Sequence, residues 1–80
     1  MKIPRDLSGK DLIKRLRLFG YEPSRQSGSH IRLTTQLNGE HHITIPNHDP
    51  LRIGMSSAIL NLVADHLQMS REELLQQLFG

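Results

Sequence analysis

The sequence contains no cysteine, no tryptophan and few aromatic residues. Without cysteine it forms neither a disulfide framework nor a thiolate metal site, which fits a reducing cytoplasm. Hydrophobic residues make up 36% of the chain and aromatic residues 4%, so a core must consist mainly of leucine and isoleucine. No apolar run approaches the roughly 18–20 residues of a membrane-spanning helix, and no apolar segment typical of a signal peptide follows the N-terminus. We therefore expect a cytoplasmic protein that contacts no membrane.

The chain is short, and its charge is unevenly distributed. Its 80 residues are enough for one modest core, so we expect residues 1–80 to form a single domain. The net charge is +2, but residues 1–36 contain eight basic and three acidic side chains, whereas residues 37–80 contain two basic and five acidic ones. A basic half is typical of proteins that bind a polyanion such as nucleic acid, although uneven surface charge is also common in small proteins that bind none.

The N-terminal part of the chain predicts an amphipathic helix. Ser8, followed three residues later by Asp11, indicates a helix N-cap. The helix continues to Phe19, and Gly20 occupies a position where a left-handed C-terminal residue is common. The apolar face consists of Leu12, Ile13, Leu16 and Phe19, and another face carries Lys10, Lys14 and Arg17. Such a basic stripe either contacts nucleic acid or is simply a solvated face.

Three extended segments follow this helix. A short one near 24–26 begins after Pro23, which is tolerated only in an edge strand or at the start of a strand. Two others, near 30–36 and 40–45, flank Asn38 and Gly39. A two-residue turn would put the apolar residues of these two strands on opposite faces, so we expect a three-residue loop with Gly39 left-handed. The apolar face then holds Ile31, Leu33, Ile43 and Ile45, and the polar face holds His30, Arg32, Thr34, His42 and Thr44.

Two more helices are predicted after a proline-containing loop. The first begins near Ser56 or Ser57, and a capping box from Ser70 to Glu73 opens the second. The expected apolar face of the first of these helices is formed by Met55, Ile59, Leu62, Val63 and Leu67. The predicted fold class is therefore α+β, a small α-β-β-β-α domain with a short extra C-terminal helix.

The segment from Arg25 to Leu33 contains the residues most indicative of function. Gly28 permits a backbone bend that presents His30 at the mouth of a strand. Histidine is the usual general acid or base near neutral pH, and the guanidinium groups of Arg25 and Arg32 pair well with phosphate. The segment predicts a site that handles a phosphodiester; the alternative is that His30 is an ordinary surface residue of a strand.

The remaining histidines do not predict a metal site. His41 and His42 are neighbours in a strand and point to opposite faces, and no carboxylate spacing supplies the further ligands that zinc needs. We expect His66 to be partly buried at the edge of the core. His48 is either a surface residue or a second residue of the His30 site, because the expected register places its loop close to that histidine.

Several short motifs occur in the order known from one protein family. They are Ser8–Ile13, Phe19–Tyr21, Arg25-Gln26-x-Gly28-Ser29-His30, Ile45-Pro46-x-His48, Leu51-x-x-Gly54, Ile59-Leu60 and Ser70-x-Glu72-Glu73-Leu74. Together they resemble HicA-type mRNA interferase toxins (the YcfA-like family) of bacterial type II toxin–antitoxin systems. The resemblance implies a fold like that of double-stranded-RNA-binding domains, ribosome-independent cleavage of mRNA, and inhibition by a HicB-type antitoxin. It also implies that the catalytic histidine is His30.

A mechanism follows for such an enzyme. Neutral His30 would remove the proton of a ribose 2′-OH, so that this oxygen attacks the adjacent phosphorus without a metal ion or a small-molecule cofactor. The proton for the leaving 5′-oxygen comes from His48 or is returned by His30, and both routes stay open. The expected RNA-binding residues are Lys10, Lys14, Arg17, Arg25, Gly28, Ser29, Arg32 and His48. Two other interpretations are a non-catalytic RNA-binding module of the same fold and a protein-interaction domain.

Overall fold

A computed structural model describes residues 2–80 as three helices and a three-stranded antiparallel sheet. In chain order the elements are α1 (Gly9–Leu16), a 3₁₀ turn (Arg17–Phe19), β1 (Glu22–Ser27), β2 (His30–Thr35), β3 (His41–Pro46), α2 (Ile53–Leu67) and α3 (Arg71–Phe79). The strands lie in the order β1-β2-β3, with α1 packed against β1 and β3 and α2 packed against β3 and α3. This confirms the predicted α+β class, including the additional C-terminal helix.

The first helix begins where the sequence predicts, but its α-helical part ends at Leu16, and a 3₁₀ turn continues to Phe19. The Ser8 side chain accepts a hydrogen bond from the backbone N–H of Asp11 at 3.0 Å, which satisfies one of the free donors of the first turn. The chain leaves the 3₁₀ turn through Gly20, whose φ of +80° lies in the left-handed region. The predicted apolar face, formed by Leu12, Ile13, Leu16 and Phe19, is buried.

The β2–β3 hairpin has the predicted register. Leu33 lies opposite Ile43, and Ile31 opposite Ile45. Gly39 has a φ of +98° at the end of a three-residue loop. Three of the predicted apolar residues, Leu33, Ile43 and Ile45, are buried, and Ile31 is half-buried where the sheet ends. The pleat therefore leaves the opposite face of the sheet, which begins with His30, open to solvent.

The outer strands differ slightly from the prediction. The edge strand β1 is longer than residues 24–26, because it pairs with β2 from Glu22 to Ser27 with an irregularity between Pro23 and Arg25. Such a bulge adds one residue to a strand and lets pairing continue past a proline, which has no N–H to donate. The third strand begins at His41, one residue later than expected.

The position and buried face of α2 correct the sequence prediction. The helix begins at Ile53, three residues before Ser56, and it is oriented differently about its axis. Met55 is 43% exposed and Leu62 is 54% exposed, although both were expected in the core. The buried residues are Ser56, Ile59, Leu60, Val63 and Ala64. Because α2 carries apolar residues on almost every side, its contacts with β3 and α3 determine which ones are buried.

The last helix packs back onto the first. Its N-cap is the predicted Ser70, whose hydroxyl accepts a hydrogen bond from the N–H of Glu73 at 3.1 Å. Near its other end, Arg15 of α1 donates to the carbonyl of Leu78 at 2.7 Å and lies over the ring of Phe79. No helix within residues 2–80 is long and apolar enough to cross a membrane.

Candidate active site

The turn between β1 and β2 positions His30. Gly28 and Ser29 form a two-residue turn, and Ser27 pairs with His30 across it. Gly28 has a φ of +60°, and Ser29 does not have a positive φ, which is the pattern of a type II′ hairpin turn. An added Cβ at Gly28 would meet no atom within 4 Å, so the backbone angle alone favours glycine there. As predicted, the turn presents His30 as the exposed first residue of β2.

The segment after β3 is held next to His30 on two sides. His30 pairs with Pro46 at the end of the β2–β3 ladder, and the N–H of Asn47 donates to the carbonyl of Ser29 at 2.6 Å. On the other side, the N–H of Gly9 donates to the carbonyl of His48 at 2.8 Å. A Cβ at Gly9 would overlap the carbonyl oxygen of Pro46, so only glycine permits this close approach of α1.

His30 and His48 line one cavity, which we call the histidine cavity. It has a volume of about 320 Å³ and is lined by His30, Pro46, His48, Leu51, Arg52 and Met55. Both histidines are exposed, so their rings are accessible to a ligand. The cavity combines two potential proton-transfer groups, one guanidinium and an apolar wall. These groups are suited to binding a charged phosphodiester with an attached base.

Arg52 and Met55 were not predicted for this site. The sequence pattern predicts that α2 starts near Ser56 or Ser57, and Arg52 then lies in a loop without a defined position. In the structure the N–H of Leu51 donates to the carbonyl of Leu7 at 2.8 Å, which closes the loop after His48. The start of α2 is thereby brought to His30. A signal was present in the sequence, since Arg52 is the first basic residue after His48.

The predicted arginine pair lies beside the histidine cavity but does not line it. Arg25 and Arg32 are direct cross-strand partners on β1 and β2. Arg32 is two residues along β2 from His30, which places the two residues on the same face of the sheet about 7 Å apart along the strand. Like charges directly opposite each other in a sheet repel. This pair therefore favours an anion on the open face.

The three residues of the predicted basic stripe, Lys10 and Lys14 in α1 and Arg17 in the 3₁₀ turn, differ in their distance from the cavity. Lys10 follows Gly9, which contacts the His48 loop, so Lys10 is the nearest of them. Lys14 and Arg17 lie about 6 and 10 Å farther along the helix axis, at a rise of about 1.5 Å per residue. All three side chains are exposed. The structure therefore places the backbone of Lys10, and not the complete stripe, next to the loop that contains His48.

A row of hydrogen-bonded side chains crosses the open face away from the cavity. The hydroxyl of Thr34 lies 2.8 Å from that of Ser24 and 2.8 Å from Nδ1 of His42. His42 Nε2 lies 3.0 Å from a carboxylate oxygen of Glu40. Hydrogen bonds from His42 and Gln36, together with the charge of His42, lower the pKa of Glu40. The sequence did not predict this row, because it joins three strands.

The other two histidines lie on the opposite side of the sheet. The buried Tyr21 hydroxyl is 2.7 Å from Nδ1 of His41, whose ring stacks on that of His66 at 4.2 Å. His66 Nε2 contacts the carbonyl oxygens of Leu37 and Gly39, which fixes the hairpin loop to the end of α2. His66 is half-buried, as expected. Within residues 2–80, no three His, Cys, Asp or Glu side chains are grouped so that they could hold a metal ion.

Comparison with known proteins identifies the family. A family model described as the HicA toxin of bacterial toxin-antitoxin systems matches residues 9–63, a range that includes α1, all three strands, most of α2 and every residue of the histidine cavity. Neither the curated proteins nor the solved structures used for comparison give a match. Proteins of this family are generally toxins that cleave mRNA and have a cognate antitoxin. The chain therefore belongs to the HicA toxin family of bacterial toxin–antitoxin systems.

Proposed function

We propose that this chain is an endoribonuclease toxin that cleaves mRNA with His30 as general base and without a metal ion. The observation that carries the proposal is the histidine cavity, which is lined by His30, His48 and Arg52. Two imidazoles are sufficient for proton transfer in RNA cleavage, because RNA carries its own nucleophile in the 2′-OH.

The reaction uses the two histidines in separate roles. Neutral His30 takes the proton of the 2′-OH, the 2′-oxygen forms a bond to the adjacent phosphorus, and the bond from phosphorus to the 5′-oxygen breaks. Protonated His48 supplies the proton that the leaving 5′-oxygen needs. The products are a 2′,3′-cyclic phosphate and a free 5′-hydroxyl. Arg52 stabilises the negative charge that develops on the phosphorane oxygens.

RNA binding rests on the basic groups around the cavity. Arg25 and Arg32 repel each other across β1 and β2, and a phosphate lying between them offsets this repulsion. Lys10 adds a cation at the start of α1, while Gly28 and Ser29 shape the turn beside the bound strand. Lys14 and Arg17 contribute a longer-range attraction that weakens with salt.

The partner that we propose is a HicB-type antitoxin, which blocks access of mRNA to His30. Since mRNA is the substrate, the toxin acts in the cytoplasm. Residues 1–80 are proposed to act as one domain. Co-expression with a HicB-type protein is expected to restore growth and to yield a complex that no longer cleaves RNA. Growth inhibition that persists in such a complex would contradict this assignment.

The test of the catalytic role compares two histidine variants. His30→Ala is expected to reduce the rate of RNA cleavage about 10²–10⁴-fold, the usual contribution of a general base. His42→Ala is the matched control, because His42 is exposed on the same face but does not line the cavity. It is expected to keep the parental rate. Both variants are expected to remain folded, because both side chains are exposed. Circular dichroism checks this.

Two further measurements separate the alternatives. Cleavage is expected to continue in EDTA and to stop when the nucleotide at the cleavage site is 2′-deoxy. Cleavage that EDTA abolishes and a divalent ion restores would contradict the metal-independent mechanism. If the protein binds RNA in a salt-sensitive manner but never cleaves it, it is a non-catalytic RNA-binding module.

A further inference from the structure

A second cavity also includes a residue from the start of α2 in its lining. We call it the basic cavity; it has a volume of about 510 Å³ and is lined by Lys2, Ile3, Arg5, Ile53 and Arg71. Three of these five residues are cations and two are aliphatic, and no carboxylate is among them. None of these residues has a role in the reaction described above. The composition favours a ligand that has both negative charge and apolar surface.

The guanidinium of Arg71 is held in place at this cavity. Its Nη1 donates to the hydroxyl of Ser57 at 2.9 Å and to the side-chain oxygen of Asn61 at 2.7 Å, both on α2. Within residues 2–80, none of the hydrogen bonds of Arg71 uses Nη2 or Nε, and neither Lys2 nor Arg5 forms an ion pair. The cavity therefore offers one oriented guanidinium and two further cations to an anion.

The two cavities are neighbours along the chain. Arg52 lines the histidine cavity, and the next residue, Ile53, lines the basic cavity. Their Cα atoms are separated by a single peptide unit of about 3.8 Å. A polymer bound at His30 therefore has only to cross the start of α2 to reach Lys2, Arg5 and Arg71. This continuity favours a nucleic acid strand over an unrelated acidic peptide.

We propose that single-stranded RNA extends from the histidine cavity over the start of α2 into the basic cavity. There Lys2, Arg5 and Arg71 bind backbone phosphates, and Ile3 and Ile53 contact a ribose or a base. This inference rests on the proposed function, because the strand is its substrate. It assigns an RNA-binding subsite whose residues are different from those of the histidine cavity, where the bond is cleaved.

The test is the salt dependence of RNA binding. The double variant Lys2→Gln/Arg5→Gln is compared with the parent protein by using 2′-O-methyl oligonucleotides, which cannot be cleaved. For a long oligonucleotide the variant is expected to lose about tenfold in affinity, and the slope of log K against log salt is expected to fall by about 1.4, since each single-strand phosphate contact contributes about 0.7. For a dinucleotide both proteins are expected to bind equally, because it fills only the histidine cavity.

A charge-matched comparison and two other outcomes make the test decisive. Lys14→Gln/Arg17→Gln removes the same charge from α1; if it reproduces the tenfold loss and the same dependence on length, net charge is the cause and the subsite is disproved. An unchanged slope in Lys2→Gln/Arg5→Gln also overturns the proposal. So does a variant that keeps its RNA affinity but loses binding of polyglutamate, because the basic cavity would then bind an acidic protein segment.

The failure of this inference is distinguishable from failure of the nuclease proposal. If the parent protein binds long RNA without cleaving it and Lys2→Gln/Arg5→Gln lowers the slope as expected, the basic cavity is supported and the nuclease proposal is overturned. If the parent protein cleaves RNA and Lys2→Gln/Arg5→Gln binds RNA as the parent does, the nuclease proposal is supported and the basic cavity is overturned. If the parent binds no RNA, both proposals are wrong.

Discussion

His30 and His48 line the same cavity although a complete hairpin separates them in the chain. The three-residue loop of this hairpin sets a register in which Pro46 pairs with His30. Backbone hydrogen bonds from Asn47 to Ser29 and from Gly9 to His48 then hold the following loop beside β2. A one-residue change of register would move His30 to the other face of the sheet. The hairpin loop thus determines whether the two histidines line one cavity.

Arg52 is expected to matter more for catalysis than Arg25. Arg52→Gln removes the cation that lines the histidine cavity, so kcat should fall about 10²-fold, as for the loss of one group that stabilises a developing oxyanion. Arg25→Gln, outside the cavity, should raise KM with a smaller effect on kcat. Steady-state cleavage of one RNA substrate measures both. The opposite pattern, with kcat sensitive only to Arg25, would place the reacting phosphate at the arginine pair.

Two glycine-to-alanine substitutions are expected to have opposite effects. Gly9→Ala introduces a Cβ that overlaps the Pro46 carbonyl oxygen, so it should reduce the free energy of unfolding by about 1–3 kcal/mol and displace the His48 loop. Gly54 lies in α2, and a Cβ added there would meet no atom within 4 Å. Gly54→Ala should therefore raise the free energy of unfolding by up to about 1 kcal/mol. Urea denaturation compares the two. Equal effects would show that α1 does not approach the β3 end as closely as described.

The orientation of α2 is tested by two leucines that are close in the sequence. Leu60 is 0% exposed, so Leu60→Ala should cost about 2–5 kcal/mol of unfolding free energy through lost apolar contacts and the cavity left behind. Leu62 is 54% exposed, and Leu62→Ala should change stability by no more than about 0.5 kcal/mol. Thermal or urea unfolding of both variants is sufficient. A larger loss for Leu62 would support the helix face expected from the sequence.

Acid is expected to destabilise the fold through His41. Burial, followed by the nearby His66 and His42, lowers the pKa of His41 below its usual range. Burial raises the pKa of Tyr21 to about 12, so the tyrosine stays protonated and donates to neutral Nδ1 of His41. When the pH falls from the unfolded pKa of about 6.5 through the lowered folded pKa, the unfolded state binds more protons. The protein therefore keeps this contribution to its stability above the unfolded pKa of His41 and loses it as the pH falls through the folded pKa.

The variant His41→Phe isolates this pH effect. It keeps an aromatic ring against His66 but cannot be protonated, so the decrease in unfolding free energy as the pH falls below about 6.5 should become smaller. At alkaline pH it should be less stable than the parent, because Tyr21 loses its hydrogen-bond acceptor. Urea unfolding at several pH values measures both effects. An identical pH dependence in the two proteins would show that His41 does not carry it.

The elements that follow from local rules were predictable. Ser8, Gly20 and Ser70 act at helix ends through their own backbone or hydroxyl chemistry, and each is found in the predicted role. The β2–β3 register was also predictable, because the two-residue period of a strand leaves one register that puts Leu33 and Ile43 on the same face. These predictions needed only short stretches of chain, in which sequence spacing directly sets side-chain direction.

The composition of the site was only partly predictable. The position of His30 at the mouth of β2 follows from the glycine turn before it, and the proximity of His48 follows from the register. Arg52 and Met55 reach the cavity because Leu51 is hydrogen-bonded to Leu7 near the start of the chain. No periodicity encodes that contact. Such long-range pairings are outside what a local pattern determines.

By itself, the sequence determined the α+β order, the helix caps, the hairpin register and the presentation of His30, because each depends on backbone geometry over a few residues. Only the tertiary structure decided which side of α2 is buried, which cations surround the histidines, and that a second basic cavity adjoins the first. Apolar residues occur on almost every side of α2, so its amphipathic pattern leaves several orientations open. Packing against β3 and α3 selects one of them, and this choice places Arg52 at the histidine cavity and Ile53 at the basic cavity.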